Sequence, residues 1–274
     1  MFAHSFVRFL VLLAIMSLVL ARPIPKDRSH GNGSKKDNKH SSSGSGSGPD
    51  QGSSSSSSNS TSSNSGSGVS FAADSSIDIP SLLQAVKAAT SKPLSGGKFG
   101  DGHGKEVQIY QWNSEGGDGS IYAFTADMDV DCDGTDYQCK GNGDGQKETS
   151  YGALSAKRVP FYVIPQSFVD KYKIKGNSLG AIICNNQMFY AIMGDTNGDS
   201  PEVIGEASWL MAQTCFPNDG LDGAKGHDAS DVTYITFGSL VPDGIDEKSP
   251  TIDLSALKEL GDKTLKGFKV ANYK

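Results

Sequence analysis

Six short runs of β-branched and aromatic residues, at 107–112, 120–126, 161–164, 178–183, 187–193 and 231–237, are separated by turns rich in Gly, Asn and Asp. Runs of this length suit strands, and turns every dozen or so residues point to a barrel or a sandwich. Gly116-Gly117-Asp118-Gly119 forms the first turn, and Asn185-Asn186 is a tight hairpin between the fourth and fifth runs. Helical spacing is confined to short stretches. Residues 79–90 place Pro80 in a first turn, with Leu83, Val86 and Ala89 on one face. Residues 207–215 are apolar helix formers, and residues 255–261 make a short helix ended by Gly261. Residues 94–104 read as a Gly-rich loop and 127–150 as a long acidic one. The expected fold class is mainly β with a few short helices.

The first seventy residues contribute nothing to such a core. Residues 1–8 carry one Arg and no acid, residues 9–20 are apolar, and Ala21 follows with Val19 two before it. That is the form of a secretory signal peptide cut after residue 21. The apolar run is shorter than the roughly 20 residues a membrane span needs, and no second apolar span follows. A secreted, extracellular protein is expected, not a membrane protein. Residues 22–70 collapse into Ser, Gly, Asn and Lys. They have too little apolar surface to offset ordering entropy and read as a flexible segment. Asn32 and Asn59 head N-glycosylation sequons within it. The remaining residues, 71–274, form one compact domain of normal size.

Charge is unevenly divided. Of 25 Lys and Arg and 31 Asp and Glu, residues 1–70 hold seven and three, which leaves the rest with 18 and 28 and a formal net charge of −10. Nucleic acid is excluded as a partner, because it requires a basic face. A cationic ligand is favoured, because a cleft of one sign concentrates the opposite charge. Cys132, Cys139, Cys184 and Cys215 are even in number behind a signal peptide, so two disulfides are expected, in any of three pairings. No zinc spacing is present and no metal or cofactor is expected.

Two carboxylate clusters carry the candidate chemistry. In Gly194-Asp195-Thr196-Asn197-Gly198-Asp199, Asp195 follows an apolar run and has polar neighbours. Glu206 in Gly205-Glu206-Ala207-Ser208-Trp209 has apolar ones. Carboxylates in contrasting surroundings make an acid and base pair, with Glu206 as general acid and Asp195 as general base. Asp199 and Glu202 are the competitors for those roles. The same letters approach a calcium loop, with Asp195, Asn197, Asp199 and Glu206 at the first, third, fifth and twelfth positions; Ser200 stands where the turn needs Gly. The second cluster is Asp127-Met128-Asp129-Val130-Asp131-Cys132-Asp133-Gly134. Alternate residues on a strand share a face, so Asp127, Asp129, Asp131 and Asp133 form a row that repels itself unless calcium or a protonated substrate amine sits there. Trp112, Tyr122 and Trp209 either stack on sugar faces or fill core.

Three blocks in order carry a family resemblance: Ala126 through Gly134; Ser150-Tyr151-Gly152-Ala153-Leu154-Ser155-Ala156 with Val159-Pro160-Phe161-Tyr162-Val163-Ile164-Pro165; and Gly194-Asp195 through Gly205-Glu206-Ala207-Ser208. Over roughly residues 71–242 the chain resembles the secreted fungal chitosanases of glycoside hydrolase family 75. The resemblance implies a six-stranded double-psi β-barrel and endo-hydrolysis of β-1,4 links between glucosamine units of chitosan, with inversion. It implies one essential Asp and one essential Glu, which map onto Asp195 and Glu206. Asp127, Asp129, Asp131 and Trp209 are then the candidate substrate-binding residues of a secreted monomer. The alternatives are a hydrolase of another cell-wall polysaccharide, or a calcium-dependent or carbohydrate-binding module built on the Asp195–Glu206 loop.

Overall fold

The computed structural model describes residues 70–112, 120–143 and 145–266. The expected leader, the Ser/Gly-rich segment up to residue 69, both sequons and the turn at 116–119 lie outside them. In chain order the elements are α1 (Ile79–Ala89), β1 (Pro93–Gly100), β2 (Glu106–Gln111), β3 (Ile121–Asp131), β4 (Phe161–Pro165), α2 (Gln166–Tyr172), β5 (Leu179–Cys184), β6 (Gln187–Asn197), β7 (Glu206–Ser208), α3 (Trp209–Cys215), β8 (His227–Phe237) and α4 (Leu254–Lys266).

Six strands close a barrel in the order β3-β7-β4-β6-β5-β8, and β8 returns to pair with β3. The pairs β3–β7 and β4–β6 are parallel. β2 and β1 extend the sheet outward from β3. This is the expected class, mainly β with short helices around a six-stranded barrel. β5 is buried throughout and β6 everywhere but Gln187, because α4 covers the face that the barrel interior does not. Strands covered on both faces read as continuous apolar runs, as these do. Inside the barrel wall the Phe124 and Tyr234 rings stack at 4.7 Å. Asn185 and Asn186 take positive φ angles of 46° and 58°, which is the tight hairpin the sequence announces. Asp78 caps α1 by accepting from the Ser81 N–H, and Pro80 sits in the first turn.

Several boundaries differ from expectation, each for a physical reason. Residues 93–100 are a strand despite their glycines, because β2 supplies a partner and a register irregularity between Pro93 and Lys98 absorbs the poor fit. The acidic stretch is strand as far as Asp131, because β7 and β8 both pair with it. β6 likewise continues through Asn197 beside β4. Residues 206–208 are strand, so the third helix begins at Trp209. Gly261 does not end the last helix, which runs on to Lys266. A Cβ at Gly261 would lie 2.5 Å from the Tyr190 ring, so this glycine serves close packing of α4 on β6. Two disulfides are present, Cys132–Cys139 and Cys184–Cys215.

Asp262 locks α4 to the barrel. Its carboxylate accepts from Tyr190 Oη at 2.8 Å, Lys258 Nζ at 2.8 Å and the Asp74 N–H at 3.0 Å. Burial alone would push this carboxyl up, but those hydrogen bonds outweigh it and hold it below its ordinary range. A carboxyl lowered on folding stabilises fully above its unfolded value, and that stability fades as pH falls through the folded value. Asp262→Asn should therefore lower Tm by about 2–4 °C at neutral pH, the equivalent of about 1 kcal/mol. The gap from wild type should close below about pH 4. Thermal melts across pH test this; a gap that stays constant into acid contradicts it.

Candidate active site

Barrel closure brings Asp195 and Glu206 into one row. β4 runs between β6 and β7, and Val163 pairs with Asp195 on one side and with Glu206 on the other. Paired residues project from the same face of a sheet. With neighbouring strands roughly 4.8 Å apart, the two backbones stand roughly 9–10 Å apart. Both side chains are buried, at 1 % exposure for Asp195 and 9 % for Glu206.

The Asp195 carboxylate is held by donors. Its Oδ1 accepts from the Ser150 N–H at 2.8 Å, Ser150 Oγ at 2.6 Å and the Thr196 N–H at 2.7 Å. Thr196 in turn donates to Gln166 Oε1 at 2.7 Å. A carboxylate only accepts hydrogen bonds, so this frame suits the ionised form. Glu206 is held from the same strand as Asp195, since Asn197 Nδ2 donates to Glu206 Oε2 at 3.1 Å. Asn197 lies two residues beyond Asp195, hence on the same face. Its Oδ1 accepts from the N–H groups of Asp199 and Val203, which fixes the amide orientation and folds the loop between the two strands.

β3 forms the other wall. Its Asp129 pairs in register with Glu206, and Asp131 with Ser208. The aspartates expected in a single row fall into two groups, each gathered by a residue from another part of the chain. Asp131 and Asp133 gather with Asp195, with one carboxylate oxygen from each within 4.8 Å of the others. Asp127 and Asp129 gather with His103 on the same criterion. Either group is a possible cation holder. Burial pushes the Asp131 carboxyl up, and the charges of Asp195, Asp133 and Glu206 push it further. Burial likewise raises Asp127, to about 7, with Asp129 and Asp101 adding to it. Asp129 raises the His103 imidazole, against the opposing effect of burial. Gly205, at φ +110°, permits this crowding: a Cβ there would fall 2.2 Å from Asp127 Oδ1.

Of the residues expected to bind substrate, Asp129 and Trp209 are partly exposed, whereas Asp127 and Asp131 are buried. Trp112 and Tyr122 belong to the core, at 2 % and 4 % exposure. The competitors are engaged elsewhere. Glu202 accepts from the Ser167 N–H at 2.9 Å and from its hydroxyl, and Asp199 Oδ2 accepts from Asn197. The Asp195–Glu206 segment is entered by β6 and left by β7, so the helix–loop–helix frame of an EF-hand is not there. Ser150 and His103 carry no role in the sequence pattern, and Asn197 figures there only as a position of the calcium-loop alternative. Asn197 had a readable signal in its strand spacing from Asp195; Ser150 and His103 reach the site only through long-range folding.

A carboxylate pair in a rigid, hydrogen-bonded barrel frame is the equipment of a glycoside hydrolase. Residues 128–266 match the fungal chitosanases of glycosyl hydrolase group 75, and the chain belongs to that family. It is 50% identical over 198 residues to endo-chitosanase C of Aspergillus oryzae, covering 70% of this chain and 52% of that protein. It is 31% identical over 233 residues to an endo-chitosanase of Aspergillus oryzae (strain ATCC 42149 / RIB 40), covering 71% and 94%. An endo-chitosanase of Aspergillus fumigatus is 34% identical over 165 residues, covering 52% and 68%. The chain thus spans about half the length of the first of these curated relatives.

Proposed function

We propose that this chain is a secreted endo-acting hydrolase of chitosan that cleaves β-1,4 links between D-glucosamine units with inversion. Glu206 protonates the leaving glycosidic oxygen. Asp195 takes a proton from water, which attacks the anomeric carbon from the opposite face. The observation that carries this reading is the row Glu206–Val163–Asp195. One intervening strand gives a spacing compatible with the roughly 6.5–9.5 Å between carboxyls that leaves room for the water of an inverting reaction. The donor frame around Asp195 supports the base role, because a base must start ionised.

The acidic wall supports the choice of substrate. Chitosan is polycationic when its amines are protonated, and the formal net charge of −10 outside residues 1–70 attracts it. Trp209 offers a partly exposed ring three residues after Glu206 for a sugar face. Acetylation of the amines removes the positive charge. Reducing-end release should therefore be at least about tenfold faster on chitosan than on chitin oligomers of equal length, a difference of about 1.4 kcal/mol. Equal rates would remove charge recognition from the account, and release from a glucan alone would replace the substrate.

A further inference from the structure

We propose that His103, Asp127 and Asp129 form a divalent-cation site on β3, beside Glu206. This inference stands apart from the proposed activity, since it rests on ligand geometry alone. His103 Nε2 lies 3.0 Å from Asp129 Oδ2, and one donor atom from each of the three residues lies within 4.8 Å of the other two. Ligand atoms sharing one zinc ion stand roughly 3–4 Å apart, given bonds of about 2.0–2.2 Å.

The observation that calls for a ligand is Asp127. Its side chain is 0 % exposed, and neither carboxylate oxygen has a hydrogen-bond partner. A buried carboxylate left unpaired is costly. Among the described residues, no Lys or Arg forms an ion pair with Asp127 or Asp129. Close packing by glycine lets the two carboxylates sit side by side. Asp127 Oδ1 and Asp129 Oδ1 rest against Gly205 and Gly226, where a Cβ would stand only 2.2 Å and 1.9 Å away. The third ligand is held in position. Asp101 Oδ1 accepts from the backbone N–H of His103 at 2.8 Å and of Lys105 at 2.9 Å, which shapes the loop that carries the imidazole.

The chemistry favours an ion over a sugar amine at this point. A polysaccharide amine cannot reach a side chain with no accessible surface. A small ion can enter past His103 and Asp129, whose side chains are 48% and 31% exposed. One imidazole nitrogen with two carboxylates suits zinc or manganese better than calcium, which prefers oxygen alone. With the ion bound, Asp127 and Asp129 serve as its ligands, and amine recognition falls to the other acidic groups.

The test uses the full chain, stripped with chelator and titrated with Zn²⁺ by calorimetry, alongside His103→Ala and Asp127→Asn. His103 is exposed, so its replacement leaves the core intact; melts without metal check that both variants fold. Wild type should show a site absent from both variants, or weakened there by at least about tenfold. Its Tm should rise with Zn²⁺ by more than that of either variant. The same stoichiometry, affinity and Tm rise in all three proteins would overturn the proposal. So would a wild type that binds no Zn²⁺, and a raised KM for chitosan in the variants without any metal binding would reassign the residues to substrate.

Discussion

Asp195→Asn is expected to lower kcat on chitosan by about 10²–10⁴-fold, the range attributed to a positioned general base. That corresponds to roughly 3–5 kcal/mol of transition-state stabilisation. KM should change little, because the lost function is exercised in the transition state. The substitution nearly preserves shape, and an amide oxygen can still accept from Ser150 and Thr196, so the fold should survive. Glu206→Gln should behave alike, since its amide oxygen can still accept from Asn197 Nδ2. The double variant should lose little more than either single one, because residues that act as a unit are not additive. Asp199→Asn and Glu202→Gln should keep kcat within about tenfold of wild type, as one serves the loop and the other pairs with Ser167. Steady-state kinetics of the five variants, each with a melting curve, check this ranking. Near-wild-type turnover by folded Asp195→Asn or Glu206→Gln would break the pair, and Asp131, buried beside both, would become the leading carboxylate.

Removing the Cys184–Cys215 disulfide should destabilise the protein by about 3.7 kcal/mol, from the loop-closure entropy of its 31-residue separation. At about 2–4 °C per kcal/mol this lowers Tm by roughly 7–15 °C. The bridge joins the end of β5 to the end of α3, and α3 follows directly on the β7 strand that carries Glu206. Cys184→Ala with Cys215→Ala should therefore also reduce activity near its lowered melting temperature. Opening Cys132–Cys139 should cost less, about 2.4 kcal/mol, because its separation is only seven residues. Comparing the two double variants by calorimetry tests the order, and a larger loss from the short loop would contradict it.

Much of the barrel was legible because local pattern and tertiary environment agree. The six apolar runs became β2, β3, β4, β5, β6 and β8, and Asn185-Asn186 made the turn its residue types favour. The misses are elements whose identity comes from partners. β1 is a strand because β2 lies beside it, and β7 is only three residues long but is gripped by β3 and β4. Gly261 has the look of a stop, yet the helix runs on past it, and the glycine is there because the Tyr190 ring needs the space. In the site, Asp195 and Glu206 were readable from the shared loop and the family blocks. Ser150 was not, since it meets Asp195 across 45 residues of chain. The aspartates of residues 127–133 read as one row, but His103 and Asp195, distant in sequence, gather them into two groups.

If Asp195 and Glu206 act across β4 as an inverting pair, the anomeric form of the first product must show it. Proton NMR of the first products from a β-linked glucosamine oligomer tests it most directly, before mutarotation blurs the signal. The α-anomer should appear first at the new reducing end. Initial release of the β-anomer would mean retention, which needs carboxyls only about 5–5.5 Å apart, and would contradict both the proposed roles and the spacing on which they rest.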